Sequence, residues 1–169
     1  QVSGMPIETV RDPGFDFGVT GEGDFTFLEL MDYLDTHIGA VREDDLAQIQ
    51  GILWRKSDGS IVQNPPRPLH KNLDDIPPPA LHLLPDLRLY QPQLVEYKQK
   101  PAATMMTSRG CSYQCIFCDK SVFGSQYRYH SPERVVAEIE NLLVNHGIRE
   151  IKFLDDMFCL VPKRVERIC

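Results

Sequence analysis

Apolar residues near the start of the chain change from a short strand-like run to a helical spacing. Residues 15–19 are strand-like, and the glycine-rich residues 20–24 follow them. The next apolar residues recur roughly as one face of a helix: Phe27, Leu28, Met31, Leu34 and Ile38. A strand, a glycine loop and a helix in this order are typical of an open α/β sheet. Residues 1–6 are similar to the end of an earlier strand that runs into a turn.

The last third of the chain repeats this alternation with clearer boundaries. Residues 103–107 and 148–154 predict strands. Between them, Ser131 and Pro132 have the residue types that cap and begin a helix, and Gly147 is typical of a helix end. The predicted apolar face of this helix consists of Val135, Val136, Ile139, Leu142 and Leu143. A strand, helix and strand in this order predict parallel strands joined by a right-handed crossover.

The middle of the chain has a different character. Two short apolar runs, residues 52–55 and 60–63, flank Asp58 and Gly59, a pair that favours a tight hairpin turn. Residues 65–101 then contain nine of the 13 prolines. Because proline lacks an N–H donor and has a fixed φ, this segment is predicted to be an extended connector.

Composition and charge narrow the possible functions. The chain has 169 residues, of which 42% are apolar, so a wholly disordered protein is excluded. A net charge of −6 argues against a surface built for nucleic acid, and no uncharged stretch is long enough to predict a membrane span. The five cysteines are an odd number, and three of them are close together. That pattern favours a metal site in a reducing compartment, so we expect a cytoplasmic protein.

The most specific pattern is the cysteine triplet Cys111, Cys115 and Cys118. Thiolates at this spacing can surround one soft-metal site. Three ligands on a 4Fe–4S cluster leave one iron open to a substrate or cofactor, whereas a simple electron carrier normally uses four. Three other interpretations remain open. The cysteines could be buried small residues, a structural zinc site, or part of a non-catalytic electron-transfer module. A zinc site would take its fourth ligand from Cys159, Cys169 or His130.

The residues around the triplet resemble the signature of the radical S-adenosylmethionine superfamily. Arg109 and Gly110 precede the first cysteine, and the aromatic Phe117 precedes the last. The resemblance implies that the three cysteines hold a 4Fe–4S cluster and that S-adenosylmethionine chelates the open iron. It also implies that Phe117 lies beside the adenine. Reductive cleavage would give a 5′-deoxyadenosyl radical that acts on a small organic substrate. The electron would come from a donor such as flavodoxin or ferredoxin.

Upstream residues narrow the resemblance to a subgroup with a cobalamin-binding domain. The residues that carry it, and that would contact cobalamin, are Gly4, Gly21, Glu22 and Gly23. Residues 72–79 resemble the connector of that subgroup, which includes anaerobic magnesium-protoporphyrin ester cyclases and methyltransferases. The subgroup's usual Asp-x-His-x-x-Gly loop does not occur in this sequence, so cobalamin is expected only in a longer parent protein.

The resemblance implies an α/β protein in three parts. Residues 1–38 would be the end of an open Rossmann-like cobalamin-binding domain, and residues 39–102 a connector with a hairpin and the proline-rich segment. Residues 103–169 would form the first β/α units of a partial (β/α)6 radical S-adenosylmethionine barrel. The chain is therefore expected to be an inactive fragment of an enzyme that catalyses methyl transfer or ring formation.

Asp155 and Asp156 follow the strand predicted at residues 148–154. The carboxyl ends of parallel strands are where α/β folds bind ligands. The resemblance implies that one of these carboxylates accepts hydrogen bonds from the ammonium group of S-adenosylmethionine. Neighbouring residues at a strand end face opposite ways, so we expect only one to do so and favour Asp155. The alternative is a solvated pair that caps the following helix.

Overall fold

The computed structural model describes residues 2–90 and 97–169, which divide into two compact units. The first unit is Gln1–His70 with Ser112–Ser125, and the second is Lys71–Cys111 with Gln126–Cys169. No helix in the described residues combines the length and the apolar character that a membrane crossing requires.

The first unit is built on a three-stranded antiparallel sheet. Its elements are α1 (Pro6–Arg11), β1 (Phe17–Val19), α2 (Gly23–Thr36), α3 (Glu43–Leu46), β2 (Ile52–Arg55) and β3 (Ile61–Gln63). The strand order is β1-β2-β3, and Trp54 pairs with Phe17 on one side and with Val62 on the other. The predicted hairpin is confirmed, because Lys56 N donates to Ser60 O at 2.8 Å and Gly59 has a positive φ of 84°.

Two expectations for the first unit are wrong. The strand expected at the start of the chain is replaced by a turn at residues 2–4 followed by α1; residue 1 lies outside the described residues. The predicted face of α2 is also wrong except at Leu34, which packs against the core cluster: the helix buries Thr26 and Leu30, while Phe27 and Leu28 are more than half exposed. Leu30 packs into the core cluster, and the Thr26 hydroxyl accepts a 2.8 Å hydrogen bond from Arg67 Nε. These tertiary contacts, not the density of apolar residues, set the rotation of the helix.

The core of this unit contains a buried polar residue. The amide group of Asn64 donates to the carbonyl oxygens of Leu46 and Ile49 at 2.6 and 2.7 Å. Its oxygen accepts from the indole N–H of Trp54 at 3.2 Å. Asn64 therefore joins the end of the hairpin to the turn that follows α3, and it satisfies groups that would otherwise be buried without partners.

The second unit contains the predicted parallel β–α–β arrangement. Its elements are β4 (Ala102–Met105), β5 (Ser108–Arg109), β6 (Arg128–Tyr129), α4 (Pro132–His146), β7 (Glu150–Phe153) and α5 (Pro162–Ile168). Strands β4 and β7 are parallel, and their register pairs Ala102 with Glu150 and Met105 with Phe153. Helix α4 lies in the connection between them, after β5, the cysteine loop and β6, and packs Val135 and Leu142 into the core.

Both ends of α4 agree with the sequence. The Ser131 side chain accepts a hydrogen bond from Arg134 N at 3.2 Å, and Pro132 occupies the first turn. Gly147 ends the helix with a φ of 64°, in the left-handed region that favours glycine. One predicted member of the apolar face is wrong, because Leu143 is 52% exposed.

The proline-rich segment contains no α-helix or strand in its described residues, as predicted. It forms short 3-10 turns at Leu73–Asp75, Leu81–Leu83 and Leu87–Leu89, and Leu81 and Leu87 pack against the β4–α4 core. Residues 91–96 of the predicted connector lie outside the described residues. The three-part division at residues 1–38, 39–102 and 103–169 stays a prediction.

Candidate functional site

The cysteine loop leaves the second unit at β5 and returns to it at β6. Gly110, with a φ of 79°, separates β5 from the partly buried Cys111. Cys115 and Cys118 are exposed, and Cys118 N donates to Cys115 O at 3.2 Å in a tight turn. Cys111 belongs to the second unit, whereas Cys115 and Cys118 belong to the first. All three thiols are free, so each can act as a thiolate ligand.

The structure does not gather the predicted ligands into a metal site. In residues 2–90 and 97–169, no three His, Cys, Asp or Glu side chains are grouped closely enough to hold a metal ion. Cys159 and Cys169, the other cysteines, are also free and exposed. The assignment of Cys111, Cys115 and Cys118 as ligands therefore stays a prediction from spacing.

Two apolar side chains in the loop are unusually open to solvent. Ile116 is fully exposed and Phe117 is 89% exposed, and both lie between the second and third cysteines of the triplet. An exposed aromatic face can stack on a planar ligand. This placement of Phe117 suits the predicted contact with an adenine.

The loop is closed at its base by a short antiparallel ladder, which we call the loop neck: residues 107–109 and 128–130. Within it, Ser108 pairs with Tyr129 and Arg109 with Arg128. His130 N donates to Thr107 O at 2.9 Å and extends the ladder by one residue. The neck therefore fixes where the backbone lies just before Cys111.

Asp155 holds one side of the loop neck. Its Oδ1 accepts hydrogen bonds from Thr107 N and Thr107 Oγ1, both at 2.9 Å, and from the Ser108 hydroxyl. Its Oδ2 is buried and has no hydrogen-bond partner among the described residues. Asp156, in contrast, is exposed. Of the two predicted carboxylates, Asp155 is the one that lies at the strand end leading to Cys111.

Arg164 holds the other side of the neck, and the sequence analysis did not find it. This α5 residue is only 3% exposed. Its Nη2 donates to Thr107 O at 2.9 Å and its Nε donates to His130 O at 3.0 Å. A signal was present in the sequence, because Arg164 lies on the same helical stripe as Val161 and Ile168. A charged residue on an apolar stripe indicates a specific buried partner.

The connector contacts the neck through Asp74. One carboxylate oxygen of Asp74 accepts from Ser131 N at 3.0 Å and lies 3.2 Å from His130 Nδ1. Although burial raises the pKa of Asp74, hydrogen bonds from Ser131 and His130 outweigh it and bring this pKa below its usual value. Burial lowers the pKa of His130 and outweighs the opposing effect of the hydrogen bond to Asp74. His130 is therefore a structural residue of the neck, joined to the connector by Asp74.

The residues predicted to contact cobalamin lie in the first unit. Gly21 has a φ of 70°, and its N–H donates to Ser3 Oγ at 2.9 Å, so the two glycine-containing segments do come together. Gly23 begins α2, and Gly4 lies in the exposed turn before α1. Glu22 lines a cavity of about 210 Å³ together with Phe25, Gln50, Arg67, Pro68 and His70. A contact of these residues with cobalamin stays a prediction.

Proteins similar to this chain are named as methyltransferases and cyclases. No family model matches the chain. An uncharacterized methyltransferase of Pyrococcus horikoshii is 41% identical over 167 residues, which are 96% of this chain and 33% of that protein. The cytidylyl-2-hydroxyethylphosphonate methyltransferase of Streptomyces wedmorensis is 32% identical, over 90% of this chain and 32% of that protein. The anaerobic magnesium-protoporphyrin IX monomethyl ester cyclase of Synechocystis is 30% identical, over 86% of this chain and 27% of that protein.

Solved structures share the fold. The cobalamin-dependent S-adenosylmethionine radical enzyme OxsB, with aqua-cobalamin and S-adenosylmethionine bound, matches 99% of this chain with a TM-score of 0.72 at 24% identity. The radical S-adenosylmethionine methyltransferase TsrM from Kitasatospora setae, with cobalamin and a 4Fe–4S cluster bound, matches with a TM-score of 0.66 at 24% identity. These matches cover 22% and 31% of the two enzymes.

The predicted resemblance is therefore confirmed. The homologues of this chain are cobalamin-dependent radical S-adenosylmethionine methyltransferases and magnesium-protoporphyrin cyclase-like enzymes, and its mixed α/β fold matches part of such enzymes. The chain spans about a third or less of the length of the curated relatives it matches.

Proposed function

We propose that this chain contains the cluster-binding segment of a radical S-adenosylmethionine enzyme. Cys111, Cys115 and Cys118 would hold a 4Fe–4S cluster. The observation that carries the proposal is a triplet of free thiols in one loop, whose first cysteine follows a fixed strand end. Soft thiolates are the donors that iron–sulfur clusters take, so the donor set fits the group. The cluster, when bound, supplies the electron that cleaves S-adenosylmethionine to a 5′-deoxyadenosyl radical.

Two further residues of the chain would bind S-adenosylmethionine in this proposal. The exposed ring of Phe117 is available to stack on the adenine. The unpartnered Oδ2 of Asp155 is available to accept a hydrogen bond from the ammonium group. A carboxylate oxygen buried without a donor is costly, which supports the view that a donor reaches it in the loaded enzyme.

The reaction of the whole protein belongs to the same proposal. Several relatives are named as methyltransferases, which supports methyl transfer to a small organic substrate, with ring formation as the alternative. Cobalamin would take part in this reaction in the parent protein, and the glycine loop at Gly21 and Gly23 in the first unit would contact it. A flavodoxin- or ferredoxin-like protein would supply the electron.

The test is a serine series after anaerobic reconstitution with iron and sulfide. Each of the three triplet variants should lose most of the bound iron and the visible absorption, because loss of one ligand opens a second iron. Cys159→Ser and Cys169→Ser are the matched controls and should keep the iron content of the unmodified chain, about four per chain. Equal iron loss in Cys159→Ser would contradict the three-ligand assignment. Tight binding of zinc in place of iron would instead indicate a structural site.

A further inference from the structure

We propose that Arg164 is a positioning residue that clamps the two ends of the cysteine loop and so fixes the approach of Cys111 to its metal. The inference extends the proposed function and depends on it for the identity of the metal group. The clamp itself concerns only residues of the second unit, and it can be tested without any metal.

The geometry of the clamp is specific to the loop neck. Arg164 donates one N–H to the carbonyl of Thr107, the last residue before β5, at 2.9 Å. It donates another to the carbonyl of His130, the first residue after β6, at 3.0 Å. One side chain thus joins the strand that leads into the loop to the strand that leaves it. Cys111 lies two residues beyond β5, so a shift of the neck would move its sulfur.

The backbone N–H and carbonyl of Thr107 are hydrogen-bonded to two side chains of opposite charge. Its carbonyl accepts from Arg164, while its N–H donates to Asp155 at 2.9 Å. Hydrogen bonds to charged groups are stronger than those between neutral groups. Because Thr107 is 1% exposed, water does not compete for these bonds. The strand end before Cys111 is therefore fixed more firmly than its two-residue ladder alone would allow.

A contribution to stability alone does not explain why an arginine is buried at position 164. Within the described residues it makes no ion pair with a carboxylate, and its Nη1 is buried without a hydrogen-bond partner. Its guanidinium lies 5.2 Å from the ring centroid of Tyr129 and 5.7 Å from that of Phe158, which compensates part of the desolvation. Burying a charge that contacts only carbonyls and rings costs more free energy than burying an apolar side chain of similar size. What it provides is a planar fork that reaches two carbonyls on two strands at once.

That fork distinguishes arginine from lysine. The guanidinium has several donors in fixed directions, whereas a lysine ammonium is a single point charge on a flexible stem. Arg164→Lys keeps the positive charge but is expected to reach only one of the two carbonyls at a time. The matched control is Arg167→Lys, three residues further along α5. Arg167 is exposed and pairs with Glu133, which is not a neck residue.

The first measurement is hydrogen exchange of the metal-free chain. In Arg164→Met, peptides covering residues 107–111 and 127–131 should exchange at least tenfold faster, while those covering β4 and β7 should keep their rates. Arg164→Lys should show the same local pattern at about threefold, and Arg167→Lys should match the unmodified chain. If Arg164→Met does not fold, the Arg164→Lys pattern decides. Exchange that rises equally in the neck, β4 and β7, or no change in the neck, would overturn the clamp.

The second measurement uses the chain reconstituted with iron and sulfide. Arg164→Lys should shift the electron paramagnetic resonance signal of the reduced cluster, or at least halve the iron content, while Arg167→Lys changes neither. An unaltered signal with full iron content would contradict the proposal. If the unmodified chain takes up no iron, the proposed function fails, and the exchange pattern still decides whether Arg164 clamps the loop.

Discussion

Replacing Asp155 separates two roles that the structure gives to one carboxylate. Its Oδ1 accepts three hydrogen bonds from Thr107 and Ser108, and its buried Oδ2 is available to a ligand. Asp155→Ala removes both oxygens. Asp155→Asn keeps an acceptor oxygen for Thr107 and Ser108 but removes the negative charge. Asp156→Ala is the matched control, since Asp156 is the exposed neighbour.

The magnitudes follow from the donors that each variant leaves unpaired. Thr107 and Ser108 are 1% and 4% exposed, so their three donors cannot turn to water after Asp155→Ala. An unpaired buried donor costs about 1–3 kcal/mol, and the two hydroxyls can rotate toward other acceptors. We therefore expect Asp155→Ala to destabilise the fold by about 3–4 kcal/mol and Asp155→Asn by about 1 kcal/mol. Both variants should weaken S-adenosylmethionine binding by about 1–2 kcal/mol, or about 5- to 30-fold in Kd.

Two assays on the same variants test this reasoning. Urea unfolding of the metal-free chain gives the free energy of unfolding, and anaerobic titration of the reconstituted protein gives the Kd for S-adenosylmethionine. Unchanged binding by Asp155→Asn would show that Oδ2 is not a ligand for the ammonium group. Equal stability of the alanine and asparagine variants would show that the three hydrogen bonds to Oδ1 contribute nothing.

Three further predictions concern stability. Asn64→Leu should cost about 3 kcal/mol in urea unfolding, because it leaves the Trp54 indole N–H and the Ile49 carbonyl without these partners, while Leu46 O keeps its bond from Ile49 N; a loss below 1 kcal/mol would contradict this. Gly147→Ala should cost about 1 kcal/mol through its left-handed φ alone, because nothing lies within 4 Å of an added Cβ, and an unchanged thermal midpoint would refute it. Because the pKa of His130 is lowered in the folded chain, the unfolded chain binds more protons as pH falls below 6.5, and the free energy of unfolding should fall there. The pKa of Asp74 is also lowered in the folded chain, so it adds a further loss of stability below pH 3.8. His130→Gln should remove the first of these losses from the pH dependence of the thermal midpoint, and a loss that persists would point to another group.

Local signals in the sequence predicted the parts of the fold that depend on local backbone geometry. Ser131 and Gly147 mark the ends of α4 because a side-chain cap and a left-handed φ are properties of single residues. The rotation of α2 was not predictable in this way. Thr26 is buried because Arg67 donates to its hydroxyl and because its own hydroxyl lies 3.3 Å from Gln50 O. Those partners are distant in the sequence, and a helical pattern of apolar residues contains no information about them.

The same distinction applies to the candidate site. The cysteine triplet could be found from the sequence because its members lie in one short loop and their spacing is itself the signal. The residues that hold the loop could not, because Asp155 and Arg164 meet Thr107 across 48 and 57 positions of the chain. The placement of Asp155 at a strand end was predictable, but its hydrogen bonds to the neck were not.

The connector also supports the start of α4 and the loop neck, so it is more than an extended link. Asp74 accepts a hydrogen bond from Ser131 N, at the cap of α4, and Arg134 in the first turn of that helix donates to Ile76 O at 3.1 Å. The first bond satisfies a backbone N–H at a helix start that the helix itself leaves unpaired, and the second attaches the Arg134 side chain to the connector. The helix start and the neck residue His130 are thus built partly from the segment that the sequence indicated only as an extended link. Lengthening the chain between residues 71 and 77 would therefore disturb the base of the cysteine loop.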